Sequence, residues 1–288
     1  SSHFGSRMCC CGPGAGLPHG FGDSAGASSD VEVAEGGNGP AAAPAAARAP
    51  AAVIVGVSHV PGIGFAVAKR FALEGLKVGL IGRQEARLAE AVKAVLAAAP
   101  GATVASAVAD ATDQAAVSKA IATFAEAHGP ATVMVYNVSG RPFPATPVAE
   151  TTPERFQEMF QTNVIGALHC TQAVLPAMQE AKKGTLLFTG ASASMRGNAK
   201  FGCFAAGKMA LRGMAQSLAK ELNPEGIHVA HVVVDGMVDM PLIRANVGKP
   251  EGRLIDTDAI ADSYWMLHCQ QPHCFTFELD VRPHMASW

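Results

Sequence analysis

Charge is scarce in this chain and neither sign prevails: 22 Lys and Arg stand against 24 Asp and Glu in 288 residues, a formal charge of −2. A near balance gives no electrostatic ground for nucleic acid or an anionic membrane as a partner. Large apolar residues never run unbroken for the roughly 18 positions a spanning helix needs, which argues against a membrane span. Aromatics are few. The two tyrosines, Tyr136 and Tyr264, are the only phenols on which any chemistry can draw. Cysteine is present without order: seven residues, an odd count, with Cys9-Cys10-Cys11 adjacent and Cys170 and Cys203 in apolar helical stretches. No disulfide framework has that spacing, and a reducing compartment is expected, the cytoplasm first and an organelle matrix as the alternative. His268-Cys269 and His273-Cys274 lack a second ligand pair at zinc-site spacing, so no metal site is expected.

Composition is uneven along the chain. Gly, Ala, Pro and Ser make up 32 of the first 50 residues, with only six large apolar side chains among them. Such a stretch cannot bury enough surface to offset chain entropy, and residues 1–50 are expected to be a disordered low-complexity tail. It carries two Arg against four acidic residues, the opposite of an Arg-rich, acid-poor transit peptide. Residues 51–288 suit one α/β domain.

From residue 51, short β-branched runs alternate with longer amphipathic ones. Strands are predicted at 53–55, 77–81, 103–109, 131–136, 185–189, 227–234 and 275–279. Helices are predicted at 65–74, 85–98, 114–128, 153–179, 201–222 and 258–268. Apolar strands separated by helices of ten or more residues predict a doubly wound parallel sheet of Rossmann type, covered on both faces. His228 and His231 lie three apart on one strand, so they point to opposite faces and form no ligand pair.

The first strand runs into Gly56-Val57-Ser58-His59-Val60-Pro61-Gly62-Ile63-Gly64. Glycines at such a junction let the backbone turn sharply and approach a pyrophosphate, while the helix N-terminus offers free N–H groups to the anion. Gly56, Ser58, Gly62, Ile63 and Gly64 are the expected phosphate cradle. The second strand ends Gly82-Arg83. A carboxylate at 82 would hold the adenosine ribose and repel a 2′-phosphate; its absence, with Arg83 next, favours NADP(H) over NAD(H).

With the motifs that follow, the chain from about Ala51 onward resembles the short-chain dehydrogenase/reductase family. Asp110-Ala111-Thr112-Asp113 resembles the family's adenine-contacting turn, and Tyr136-Asn137-Val138-Ser139-Gly140 resembles its Asn-Ala-Gly turn. The resemblance therefore implies cofactor contacts from Asp110, Ala111 and Asn137, and from Asp235-Gly236, where the family has Pro-Gly. Asn163 matches the helix Asn that holds a relay water. Lys208 matches the helix Lys that binds the nicotinamide ribose and lowers the pKa of a Tyr four residues earlier, on the same helix face. Relatives pair through their long fourth and fifth helices, here 153–179 and 201–222. Small residues there (Ala205, Ala206, Gly207, Ala210, Gly213) imply a homodimer or homotetramer.

Departures accompany the match. The family's Tyr-x-x-x-Lys reads Phe204-x-x-x-Lys208, and its polarising Ser falls on Ala191, with Ser192 beside it. Either two residues follow Gly56 as an insertion, or Ser58 takes the first Gly position. Asn163, Lys208 and Ser192 are the remaining catalytic candidates. Asp235, beside the expected nicotinamide pocket, is read as an acid or base, or as a cap for the helix after it; Tyr136 lies at a strand end near the cofactor; Tyr264 is read as packing. The implied function is an NADP(H)-dependent oxidoreductase moving hydride to or from an apolar carbonyl or a conjugated alkene, with segment 237–246 as the substrate lid. The alternative is a catalytically impaired NADP(H)-binding protein.

Overall fold

Alternation within single strands decides the architecture. In β1 (Ala51–Val55), Ala52 and Ile54 face one layer of helices while Val53 and Val55 face the other. A computed structural model describes residues 51–140, 142–248 and 250–286; the expected tail, with Cys9-Cys10-Cys11, lies outside the described residues. After β1 come α1 (Ile63–Leu73), β2 (Lys77–Gly82), α2 (Glu85–Ala98), β3 (Val104–Val108), α3 (Gln114–His128) and β4 (Ala131–Tyr136). The second half holds α4 (Pro153–Phe160), α5 (Gly166–Ala181), β5 (Gly184–Thr189), α6 (Gly202–Leu222) and β6 (Ile227–Val234). It closes with β7 (Met237–Val238), α7 (Pro241–Val247), β8 (Leu254–Ile255), α8 (Thr257–His268) and β9 (Glu278–Val281).

Seven strands form one parallel sheet in the order β3-β2-β1-β4-β5-β6-β9, and β7 pairs with β8 separately. Helices α1, α2 and α8 cover one face, with Phe71, Leu88, Val95 and Leu267 buried there. Helices α3, α5 and α6 cover the other with Phe124, Val174, Leu211 and Leu222. This is the Rossmann-type α/β fold expected from the sequence. The strand order reverses between β1 and β4, and in open α/β sheets ligands bind at the carboxyl ends flanking such a reversal.

Two elements differ from the sequence pattern. The helix predicted over 153–179 is continuous but contains one wide turn, Gln161–Ile165, between α4 and α5. The Tyr136 hydroxyl donates to the Thr162 carbonyl inside that turn, so a side chain from β4 holds it open. The last strand starts at Glu278, not at 275. Phe275 instead stacks on the His228 ring, with centroids 4.2 Å apart and planes 4° from parallel. The Gln270 side chain accepts from the Thr276 amide at 2.8 Å, which holds the approach to the strand as a loop.

Candidate functional site

At the carboxyl ends of β1, β4 and β5 the backbone opens a cavity of about 450 Å³. Its first wall is the glycine loop, from which Gly56, Ser58, His59, Gly62, Ile63 and Gly64 all contribute. Gly56 sits at φ +98°, and a Cβ there would lie 2.7 Å from the Asn137 backbone. The position therefore demands glycine twice over, by conformation and by space. Asn137 seals the junction, its amide donating to the Val55 carbonyl at 2.8 Å and its side chain to the Gly56 carbonyl at 3.1 Å. Residues 57–61 span the distance from this required glycine to Gly62, where α1 begins. Helix α1 begins after Gly62 with no side-chain cap, so its first N–H groups face the cavity free.

A second wall comes from β5 and α6. Thr189, Gly190 and Ala191 lie opposite Phe204 and Lys208, which share one face of α6. Lys208 is 2% exposed, and its ammonium donates to the Thr189 carbonyl at 2.9 Å. Burial pulls its pKa down from 10.5 to about 7. Asn163 stands in the wide helical turn, fully buried. Its Nδ2 donates to the Met159 carbonyl at 2.9 Å, while its Oδ1 has no partner among the described residues. A buried acceptor left open in this way is a place for water or a ligand group. The mouth is apolar: Pro142, Phe143, Met237, Val238, Met240 and Ile243.

Other expected site residues lie elsewhere. Ser192 opens a short helical turn, Ser192–Ser194, and does not line the cavity, whereas Ala191 does. Ser194 is the serine turned inward, its hydroxyl accepting from the Ala191 amide at 3.2 Å. Asp235 is neither a free acid nor a helix cap. Its carboxylate accepts from Arg196 at 2.9 and 3.0 Å and pairs with Arg282 at 3.0 Å, so the charge is spent on holding the loop after β5. Its neighbours Val234 and Gly236 do line the cavity.

Arg83 directly follows β2 with an exposed guanidinium, as the sequence suggests, but it is not without a carboxylate neighbour. Asp110, at the end of adjacent β3, approaches to 3.5 Å. Burial would raise the Asp110 carboxyl, yet the Thr112 amide and hydroxyl and the Arg83 guanidinium outweigh it and hold it below its ordinary range. Ala111 is buried, and its carbonyl meets the His169 ring at 3.2 Å. Tyr136 and Tyr264 are fully buried, Tyr264 with its hydroxyl 2.7 Å from the Thr189 hydroxyl, and burial raises both phenols. Neither lines the cavity. Among the described residues no cluster of His, Cys, Asp or Glu is placed to hold a metal ion.

Residues 50–250, which hold the glycine loop, the start of α1 and the buried lysine around this cavity, match the family of short chain dehydrogenases. The chain belongs to the short chain dehydrogenase family. An uncharacterized oxidoreductase of Staphylococcus saprophyticus is 30% identical over 232 residues, covering 81% of this chain and 96% of the relative. A short-chain dehydrogenase structure from Rhodopseudomonas palustris superposes with a TM-score of 0.68 at 33% identity, over 82% of this chain and 99% of the other. A metagenomic short-chain oxidoreductase solved in complex with NADP gives 0.70 at 28% identity, over 82% and 98%. A nicotinamide dinucleotide, the cofactor of this oxidoreductase family, suits the residues present. Gly56, Gly62 and Gly64 line the cavity without side chains, α1 starts there with no side-chain cap, and Lys208 supplies a polar group deeper in. Among the described residues no helix is long and apolar enough to cross a membrane.

Proposed function

We propose that this short chain dehydrogenase binds NADP(H) and transfers hydride to or from an apolar carbonyl or conjugated alkene. One observation carries the reading: a single cavity joins a phosphate cradle, a buried lysine near neutral pKa and an apolar mouth. The nicotinamide supplies the hydride chemistry; the chain's residues bind, orient and exclude water. Gly56, Gly62 and the start of α1 take the pyrophosphate, Asn137 keeps the loop in register, and Lys208 meets the ribose side. Arg83 favours a 2′-phosphate, with no acidic residue at Gly82 to oppose it and Asp110 as the carboxylate from which the phosphate must draw it. Phe143, Met237, Met240 and Ile243 favour an apolar substrate.

Phe204 and Ala191 line the cavity where the family resemblance places Tyr and Ser. The chain is thus read as a divergent member with no hydroxyl at either place, and the conjugated alkene is the better acceptor. Its reduction needs no phenol beside an alkoxide; a proton from Lys208, relayed past Asn163, is enough. The same pair of residues is also what an NADP(H)-binding protein without turnover would show.

A fluorescence titration with NADPH, followed by a consumption assay over aldehydes, ketones and enoyl compounds, separates the two. Saturable binding with oxidation on an enoyl substrate is expected. Tight binding with no oxidation on any substrate favours the binding protein, and no binding rejects both. Restoring Phe204→Tyr together with Ala191→Ser is expected to add carbonyl reduction, because Lys208 already stands four residues on.

A further inference from the structure

The residues that follow β9 meet both ends of the segment bordering the mouth of the cavity. Met237, Val238, Met240 and Ile243 line the cavity from that segment. At its centre stands α7, and among the described residues of that helix none is buried. A helix that buries no side chain has no core of its own to hold it. The segment is therefore fixed by its two ends, residues 235–239 at the start and 252–255 at the return.

Those ends are joined first to each other: β7 pairs with β8, and the Asp239 amide donates to the Ile255 carbonyl at 2.8 Å. The residues after β9 then tie each end separately. At the start, the Asp235 amide donates to the Val281 carbonyl at 2.9 Å. One guanidinium nitrogen of Arg282 stands 3.0 Å from Asp235 Oδ2 and 2.6 Å from Asp280 Oδ2, bridging the segment to β9. Asp235 is only 8% exposed, and a carboxylate so buried depends on its cations. Pro283 is buried beside Gly236, where a Cβ would lie 2.8 Å from the proline ring. At the return, the Met285 amide donates to the Gly252 carbonyl at 3.1 Å. Gly252 holds φ +66°, and a Cβ there would stand 2.6 Å from the His284 ring and from the Met285 side chain. Each end thus has a glycine where the crossing residues lie. Between them the Ala286 amide donates to the Pro283 carbonyl at 3.0 Å, folding the crossing into a turn.

We propose that residues 282–286 form a strap that pins the substrate lid at both ends, with Arg282 as its positioning residue. With the strap in place, Gly236 to Met240 keep their places in the cavity wall. With it released, the lid swings from its base and the apolar mouth opens to water. The strap rests on the function proposed above only in taking this cavity as the one that holds the ligand.

Amide hydrogen exchange of the ligand-free protein, read residue by residue by NMR, tests this. In the parent the Met285 and Asp239 amides are expected to exchange far more slowly than those of an open chain. A Met285 amide that exchanges like a free peptide overturns the proposal even if no variant folds. In Arg282→Gln, exchange at Asp239 and Arg244 is expected to quicken by about tenfold, while the amides of β1 and β4 hold their rates. Pro283→Ala, which keeps the ion pairs and removes the ring from Gly236, is expected to act in the same direction. Exchange that quickens equally in β1 and β4 would be a general loss of stability and overturns the strap, as do lid amides unmoved in both variants. NADPH release, followed by stopped-flow fluorescence, is expected to be about threefold faster from Arg282→Gln. Unchanged release beside a loosened lid overturns closure of the cavity by the strap. The exchange measurement needs no NADPH, so it decides the strap whether or not the proposed function holds.

Discussion

Lys208 carries a pH dependence of stability that is fixed by its burial. Its folded value of about 7 lies below the 10.5 of an exposed lysine. Between those two values the unfolded chain holds the extra proton, so stability rises with pH across that window. Below about pH 7 the buried ammonium exerts its full cost. Lys208→Met is therefore expected to melt higher than the parent at pH 7, by roughly 2–4 kcal/mol in unfolding free energy. The gain should shrink toward zero by about pH 10, or reverse, since the Thr189 carbonyl loses its donor. Denaturant melts of both proteins across that range check the sign; a parent curve flat in pH would contradict it. Lys208 and Asn163 were singled out in the sequence by resemblance, the one to the Lys of the family's Tyr-x-x-x-Lys and the other to its helix Asn, and the structure shows both buried. The contact of His231 with Glu278 was not legible, because it requires β9 to pair beside β6 across 47 residues of chain. The commitment of Asp235 to Arg196 and Arg282 was hidden in the same way, since three separate segments make it.

At the scale of elements, hydrophobic period located most helices and strands closely, and it failed where a tertiary contact overrides local pattern. The wide turn Gln161–Ile165 is the clearest case. Nothing in Gln161-Thr162-Asn163-Val164-Ile165 announces it, because its carbonyl partner is a phenol from β4. That contact recasts Tyr136: its buried hydroxyl donates to the Thr162 carbonyl under the site and does not line the cavity. Tyr136→Phe leaves the Thr162 carbonyl buried without its donor, at a cost of about 1–3 kcal/mol. The variant is expected to melt lower while NADPH affinity changes by no more than about twofold, an energy well under 1 kcal/mol. A large loss of affinity with unchanged melting would mean that the hydroxyl acts in the cavity after all. The segment 237–246, expected from its Met and Leu content to be a substrate lid, takes the form of a two-residue strand on β8 followed by α7; Asp239 pairs with Arg244 there, a contact five residues long that hydropathy does not register.

For the whole molecule, the helical face made by α4 and α6 is left uncovered by the other described residues. Phe156, Phe160 and Met209 are 42%, 45% and 41% exposed, and a hollow of about 290 Å³ runs between Phe156, Phe160, Ala206 and Gly207. Exposed aromatics around a hollow floored by small residues suit association with a second copy, because a two-fold axis lets the phenyl rings of each subunit fill the other's hollow. The small residues noted from sequence alone carry the same implication, and the structure adds that they lie beside the aromatic pair. The floor is also the back of the functional site. Gly207 precedes Lys208 and lies so close to Asn163 that a Cβ there would stand 3.0 Å from its amide nitrogen. Packing on this face would thus steady the wide turn and the lysine together. Light scattering is expected to show a dimer or tetramer for the parent at micromolar concentration. Phe156→Glu with Phe160→Glu, both at exposed positions, is expected to give a folded monomer with weaker NADPH binding. A parent that is already monomeric would remove the second copy from the argument. A monomeric variant with unchanged affinity would show that α4 and α6 hold Asn163 and Lys208 in place unaided.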